Sequence, residues 1–304
     1  VVSEDNNNGS PTSVDDVGSV SLIDGATGAL IETYYGDLTD ELHNGEIEQL
    51  TNGNFVIASP YDGLGAGGND EGSVKLINGT TGAVIATHVG DQKDDKLGWS
   101  DVDPLPNGGY AVASKYDRAG GSVENIGSVM TFGADGVMKG TKLVGVYADD
   151  NLGRELVVST NGNYLFESKS VDNGTTTVDA GSIMLIDHTT GLQIGNTIFG
   201  DNANDKLGEG KIFPLNNGNF LVFSPSDDVG ATDNGSMMLI SGTTGLEIGA
   251  KLAGGSTDDF EVSGNYGAET TSVGDFIPSF YVVFAEDWDQ PGKADAGFAK
   301  VFAY

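Results

Sequence analysis

Asn52-Gly53-Asn54-Phe55-Val56-Ile57-Ala58-Ser59 is a tight turn running into an apolar segment that ends on serine, and the chain repeats it. It returns as Asn107-Gly108-Gly109-Tyr110, Asn161-Gly162-Asn163-Tyr164 and Asn217-Gly218-Asn219-Phe220, at steps of 55, 54 and 56 residues. Downstream of each stands a second fixed element: Gly72-Ser73-Val74, Gly127-Ser128-Val129, Gly181-Ser182-Ile183 and Gly235-Ser236-Met237. A copy of it opens the chain at Gly18-Ser19-Val20, and a weaker one closes it at Gly297-Phe298-Ala299. Self-similarity at a fixed period predicts a repeat architecture and outranks any single motif.

Within one period, Asp95 to Gly145, four strands are predicted. Strand a begins with Asp95-Lys96-Leu97-Gly98-Trp99-Ser100. The Asn-Gly turn supplies the positive φ values a two-residue hairpin needs and leads to strand b, Tyr110 to Ser114. A loop rich in Asp, Asn and Gly precedes strand c (Ser128 to Phe132), and Gly133-Ala134-Asp135-Gly136 turns into strand d (Val137 to Leu143). No helical period occurs anywhere.

Strand b is apolar at consecutive positions, so both of its faces must be covered. Small sheets stacked face to face satisfy this. The expected fold is an all-β β-propeller of four-stranded antiparallel blades with about 55 residues per repeat. One domain over 1–304 is expected, with repeat units near 1–36, 37–90, 91–145, 146–200, 201–254 and 255–304. Five d-to-a crossovers imply six blades, with five or seven as alternatives. The first unit lacks strand a and the last lacks strand d.

Acidic residues outnumber basic ones 45 to 14, for a net charge of −31. That excludes nucleic acid and anionic membrane surfaces as partners, which need Lys/Arg clusters, and it favours cation binding or solubility at high salt. Cysteine is absent, so no disulfide framework exists. No apolar run reaches the roughly 18 residues of a membrane helix, so no direct insertion is expected. Beginning at Val1 without a signal peptide, the chain reads as a mature form or a fragment.

The order Asp-x-Leu-Gly, strand, turn, strand ending Ser-Pro-x-Asp, acidic loop and Gly-Ser-Val resembles the FG-GAP repeat of integrin-α-type β-propellers and related bacterial surface repeats. Ser59-Pro60-Tyr61-Asp62 and Ser224-Pro225-Ser226-Asp227 stand where that family has Gly-Ala-Pro-x-x-Asp, and Leu97-Gly98 and Leu207-Gly208 where it has Phe-Gly. Its calcium loop between strands a and b is absent, so its calcium sites do not carry over. The resemblance implies a secreted or surface-exposed, bacterial adhesion or recognition scaffold, whose partners are proteins or glycans on surfaces or copies of itself.

Two sets of acids recur. One lies before strand c and in its loop: Asp62, Asp70, Asp172, Asp179, Asp227 and Asp233, together with Asp117 and Asn125. The other precedes strand a: Asp40, Asp95, Asp150, Asp205 and Asp259. Hard cations take oxygens from such loops, which makes the first set candidate Ca2+ ligands. The alternative is that these side chains bond their own backbone as Asx turns. Trp99, Tyr61, Tyr116 and Trp288 are candidate sugar-stacking residues, with Tyr61 and Tyr116 at one position of successive loops. His43, His88 and His188 share no repeat position, and no nucleophile elbow occurs. Among the many acids, Glu46 with Glu48 and Asp101 with Asp103 lie on one face of strand a and offer carboxylate pairs for glycosidic chemistry, with a solvated acidic channel as the alternative; no catalytic residue is assigned. The expectation is a non-enzymatic extracellular adhesion, structural (matrix or filament) or recognition module. The alternative is a carbohydrate-active or glycan-binding propeller with an acidic axial site.

Overall fold

The computed structural model describes residues 2–3, 18–36, 46–63, 69–119, 121–174, 177–229, 234–254, 267–269, 280–285 and 298–303. They form antiparallel meanders and no helix. The first sheet holds β1 (Val2–Ser3), β2 (Ser19–Ile23) and β3 (Leu30–Tyr35). The second holds β4 (Ile47–Gln49), β5 (Phe55–Ser59), β6 (Ser73–Ile77) and β7 (Val84–Val89). The third holds β8 (Asp101–Pro104), β9 (Tyr110–Ser114), β10 (Ser128–Phe132) and β11 (Met138–Val144). The fourth is β12 (Glu155–Val158), β13 (Tyr164–Ser168), β14 (Ser182–Ile186) and β15 (Gln193–Phe199). The fifth is β16 (Ile212–Pro214), β17 (Phe220–Ser224), β18 (Ser236–Ile240) and β19 (Leu252–Ala253). The sixth is β20 (Gly267–Glu269), β21 (Phe280–Ala285) and β22 (Phe298–Ala303). Serial four-stranded meanders of this kind are a β-propeller-like repeat.

The chain divides into two compact units, Val1–Glu155 with His188–Gly191, and Leu156–Asp187 with Leu192–Tyr304. In the first, Val56, Val74 and Leu76 of the second sheet pack against Val102, Tyr110, Val112 and Phe132 of the third. In the second, Leu165, Ile183 and Leu185 of the fourth sheet pack against Phe220, Val222 and Met238 of the fifth. Strand b is the most deeply buried: β9, β13 and β17 are buried at every residue and β5 at all but Phe55, as its doubly apolar pattern requires, while strand c comes close, with β10 buried throughout.

The register explains the two recurrent motifs. Each strand-b serine faces the first serine of strand c, as Ser59↔Ser73, Ser114↔Ser128, Ser168↔Ser182 and Ser224↔Ser236. Its hydroxyl can also accept from the Leu-Gly motif that precedes it: Gly98 N–H donates to Ser114 Oγ at 2.9 Å and Gly208 N–H to Ser224 Oγ at 3.2 Å. The glycine before strand c sits at φ +74 in Gly72, Gly127 and Gly181. There the backbone lies directly against Leu97, Leu152 and Leu207, leaving no room for a Cβ.

One boundary differs from the expectation. Asp95 to Ser100 is a loop, and strand a starts at Asp101. Asp94, Lys96 and Gly98 take φ of 64, 49 and 81, as do Asp149, Asn151 and Gly153 at 64, 50 and 83. A left-handed residue at every second position cannot extend into a pleat.

Candidate functional site

The strand-a motif holds an inward carboxylate capped by backbone. Asp95 Oδ2 accepts Gln92 N–H at 2.7 Å while Oδ1 accepts Arg118 N–H at 3.0 Å. Asp150 Oδ2 accepts both Val146 and Tyr147 N–H at 2.7 Å, and Asp205 accepts Asn202 N–H at 2.6 Å and Asp228 N–H at 3.2 Å. All three are buried, and burial raises the Asp95 and Asp205 pKa against the pull of these donors. These carboxylates accept N–H groups three or four residues upstream, and Asp95 and Asp205 also accept one 23 residues downstream, tying their own loop to the loop after strand b.

The strand-c set divides into two kinds. Asp70, Asn125 and Asp179 occupy left-handed φ values of 47, 51 and 52, a conformation Asp and Asn tolerate best. Their carbonyls accept the N–H of Lys96, Asn151 and Lys206 at 3.1, 2.9 and 3.1 Å. The loop partners Asp62, Asp117 and Asp227 are buried side chains matched by lysine. Lys75 Nζ lies 3.2 Å from Asp62, Lys142 2.5 Å from Asp117, and Lys251 2.8 Å from Asp227. Each also accepts the hydroxyl of the first strand-c serine, Ser73, Ser128 or Ser236. Asp233 lies outside the described residues.

The fourth sheet corrects the alignment of Asp172. Asp62, Asp117 and Asp227 each donate N–H to the strand-b serine carbonyl and accept Gly72, Gly127 or Gly235 N–H. In the fourth sheet the residue that does both is Val171, buried at 7% exposure. Asp172 is one position later and accepts Asp179 N–H at 2.8 Å. The lysine register is also lost, since Ile198 pairs with Ile183 as Leu143 pairs with Val129, placing Thr197 where Lys142 stands. Ser182 Oγ accordingly is buried without a hydrogen-bond partner among the described residues. Across the second to fifth sheets acid and cation are present together or absent together, with Lys75 of strand c serving in the second, where Thr87 holds the Lys142 register.

Carboxylate oxygens of Asp91, Asp95 and Asp117 lie within 4.8 Å of one another, a spacing that could hold a cation. Lys142 Nζ contacts Asp91 at 2.6 Å and Asp117 at 2.5 Å. Burial pulls the Lys142 pKa down, but the hydrogen bonds to Asp117 and Asp91 more than offset it, so the net shift is upward. The chain's own ammonium fills the cation role. Lys251, bridging Asp201 at 3.3 Å and Asp227 at 2.8 Å, repeats the arrangement.

Three of the four aromatic candidates meet. Trp99 makes edge-to-face contacts with Tyr61, ring centroids 5.3 Å apart, and with Tyr116 at 5.4 Å. Lys96 Nζ lies 4.7, 5.0 and 5.7 Å from the Tyr61, Trp99 and Tyr116 centroids, and Lys115 Nζ lies 5.0 Å from Tyr116. All three rings are half-buried, with part of each surface in solvent. Trp288 lies outside the described residues. At the same loop positions of the fourth and fifth sheets stand Ser170, Glu209 and Ser226. There Glu209 takes Lys169 at 3.2 Å, Lys206 at 3.8 Å and the Ser226 hydroxyl at 2.8 Å. The framework is constant while this position changes its chemistry.

Strand a carries the remaining acids. Glu46 Oε2 accepts Val102 N–H at 3.1 Å, joining β4 to β8. Burial, then the charges of Asp101 and Glu48, push Glu46 up to about 7. Burial, then Asp101 and Glu46, push Asp103 up to about 8, and its Oδ2 is buried without a hydrogen-bond partner among the described residues. His88 instead stacks on Phe132 at 4.1 Å, a packing role, with its pKa lowered by burial.

A family model described as "Repeat of unknown function (DUF5650)" matches residues 49–99, 158–209 and 214–250. Three stretches of the chain thus match one repeat. The two longer ones run from the end of strand a through strands b, c and d to the next Leu-Gly motif. No curated protein matches the chain. Among solved structures, Saccharomyces cerevisiae Sqt1 is similar at 13% identity and a TM-score of 0.48, over 95% of this chain and 66% of that one. The chain therefore spans just under two thirds of that neighbour's length.

Proposed function

We propose that the meanders close into one six-bladed β-propeller over 1–304, of the FG-GAP-like surface type, and that it acts outside the cell as a non-enzymatic recognition module. Its ligand is a saccharide held at Tyr61, Trp99 and Tyr116. The observation that carries this reading is the meeting of these rings at a single junction among the described residues, on a framework otherwise repeated. Partly exposed ring faces stack on the C–H faces of sugars, and Lys96 between them orders the rings. Calcium enters this reading chiefly through Asp172 and Asp179, because Asp62 and Asp227 are already matched by lysine. A bacterial surface carrying glycan or protein, or further copies of the chain, supplies the partner.

A second reading, glycosidic hydrolysis, is favoured by Glu46 and Asp103. Acids near 7 and 8 keep a proton at neutral pH, as a general acid must. A glycan array, with calcium and with chelator, separates the two. Binding without turnover that Trp99→Ala weakens about tenfold or more supports recognition, in line with the loss of a stacked ring. No glycan bound by the intact chain refutes it. Release of reducing ends, abolished by Asp103→Asn, establishes the hydrolase.

A further inference from the structure

We infer that the saccharide held at Tyr61, Trp99 and Tyr116 is an acidic one whose uronate carboxylate is met by Lys96 and Lys115; this rests on the saccharide reading and narrows it to one chemical class. Lys96 Nζ lies 4.7, 5.0 and 5.7 Å from the Tyr61, Trp99 and Tyr116 centroids, and Lys115 Nζ lies 5.0 Å from that of Tyr116. Two of only 14 basic residues thus meet at one group of rings, on a chain whose net charge is −31. Acids do not neutralise this pair as they do other lysines. Lys142 and Lys251 each bridge two carboxylates at 3.3 Å or less. Among the described residues Lys96 has Asp70 alone, 3.9 Å away with its side chain 34% exposed, and no carboxylate pairs with Lys115. A ring face steadies an ammonium group but leaves its charge and its N–H donors for another partner.

The chain's own repeat shows what such ammonium groups take. Between the fourth and fifth sheets Glu209 holds the position of Trp99, and Ser226 that of Tyr116. Glu209 meets Lys169 at 3.2 Å and Lys206, the equivalent of Lys96, at 3.8 Å, while Ser226 donates its hydroxyl at 2.8 Å. Burial pushes the Glu209 pKa up, but Ser226 and the two lysines outweigh it, so the net shift is downward and the carboxylate stays charged. With Trp99 in that position, two ammonium groups remain and the central carboxylate is exchanged for ring faces. A uronate answers both changes: its C–H face lies on the rings, and its carboxylate stands where Glu209 stands in the other loop. Hydrogen bonds from ammonium to carboxylate are about twice as strong as neutral ones. The chain's overall negative charge does not prevent this, because charges are screened over about 8 Å at physiological ionic strength and the lysines act in contact.

The test is an array probed with the full chain and carrying galacturonate, glucuronate and mannuronate oligosaccharides, each beside its methyl ester and a neutral counterpart. Esterification removes the charge and keeps the sugar ring. At least one uronate should bind about tenfold or more tightly than its own ester, the scale of a charge-assisted hydrogen bond. Lys115→Gln should cut that acid-to-ester ratio to about threefold or less, because Lys96 alone then remains to meet the carboxylate. The ratio for the unsubstituted chain decides alone if Lys115→Gln fails to fold. Equal binding of acid and ester, binding of neutral glycans only, or a ratio that Lys115→Gln leaves untouched overturns this inference while the saccharide reading stands. No glycan bound of any kind overturns both.

Discussion

Lys142→Met is the most exacting test of how this acidic chain tolerates its buried carboxylates. The substitution keeps most of the apolar stem and removes the ammonium, which lies 2.5 Å from Asp117 and 2.6 Å from Asp91. Asp117 is 1% exposed, and after the substitution only Ser128 Oγ at 2.6 Å and Ala119 N–H, among described partners, still stabilise its charge. Breaking a fully buried pair costs about 3–5 kcal/mol, but the Lys142 side chain is 20% exposed, so about 2–4 kcal/mol is expected. The fourth sheet shows the compensated alternative, with Val146, Val171 and Thr197 at the three positions. The triple variant Asp91→Val, Asp117→Val, Lys142→Thr should therefore recover most of the loss. Urea unfolding of each variant, read alongside native-state hydrogen exchange of β9 and β10, measures both effects. The single variant should also gain stability from added calcium, since Asp91, Asp95 and Asp117 would then lack their cation. A loss below about 1 kcal/mol for Lys142→Met, the value of an ordinary surface pair, would refute the argument. So would a triple variant no more stable than the single one.

The converse change, Val171→Asp, should cost about 2 kcal/mol or more by burying an unpaired acid, and adding Thr197→Lys should reverse most of it in the same unfolding assay. Asp103 and Glu46 have folded pKa values raised to about 8 and about 7, so their contribution to stability is fullest below the unfolded values near 4 and is lost as pH rises through 7 to 8. Melting temperature should fall over that range, and Asp103→Asn should flatten the fall; a melting temperature rising from pH 5 to pH 8 would contradict the assignment. Gly72→Ala should cost about 2–4 kcal/mol, because φ is +74 and the new Cβ would meet Leu97 backbone, whereas Gly53→Ala, with open space around it, should cost only about 1 kcal/mol for its positive φ. Equal losses at the two glycines would show that the close approach at Gly72 is not what selects glycine.

The sequence by itself determined the period, the four-stranded unit and the doubly buried strand b, because these rest on local facts. Asn-Gly turns, left-handed glycines and apolar runs act within a few residues and are legible one repeat at a time. The three aromatic candidates were also visible in it, through Tyr61 and Tyr116 at a repeated loop position. Their convergence on Trp99 and Lys96 was not, since it depends on loops of adjacent sheets meeting. The meaning of the aspartates was decided only by tertiary structure. Asp62, Asp117 and Asp227 look alike as ligands in one dimension, yet their cations come from Lys75, Lys142 and Lys251, 13, 25 and 24 residues away. The residue type alone made Asp172 look like their equivalent, but it stands four residues after Ser168 where the others stand three after their serine, and that one extra residue moves the carboxylate out of its socket. Charge pairing is set by which atoms meet in space, and a buried acid can be told from a ligand only when the group facing it is known.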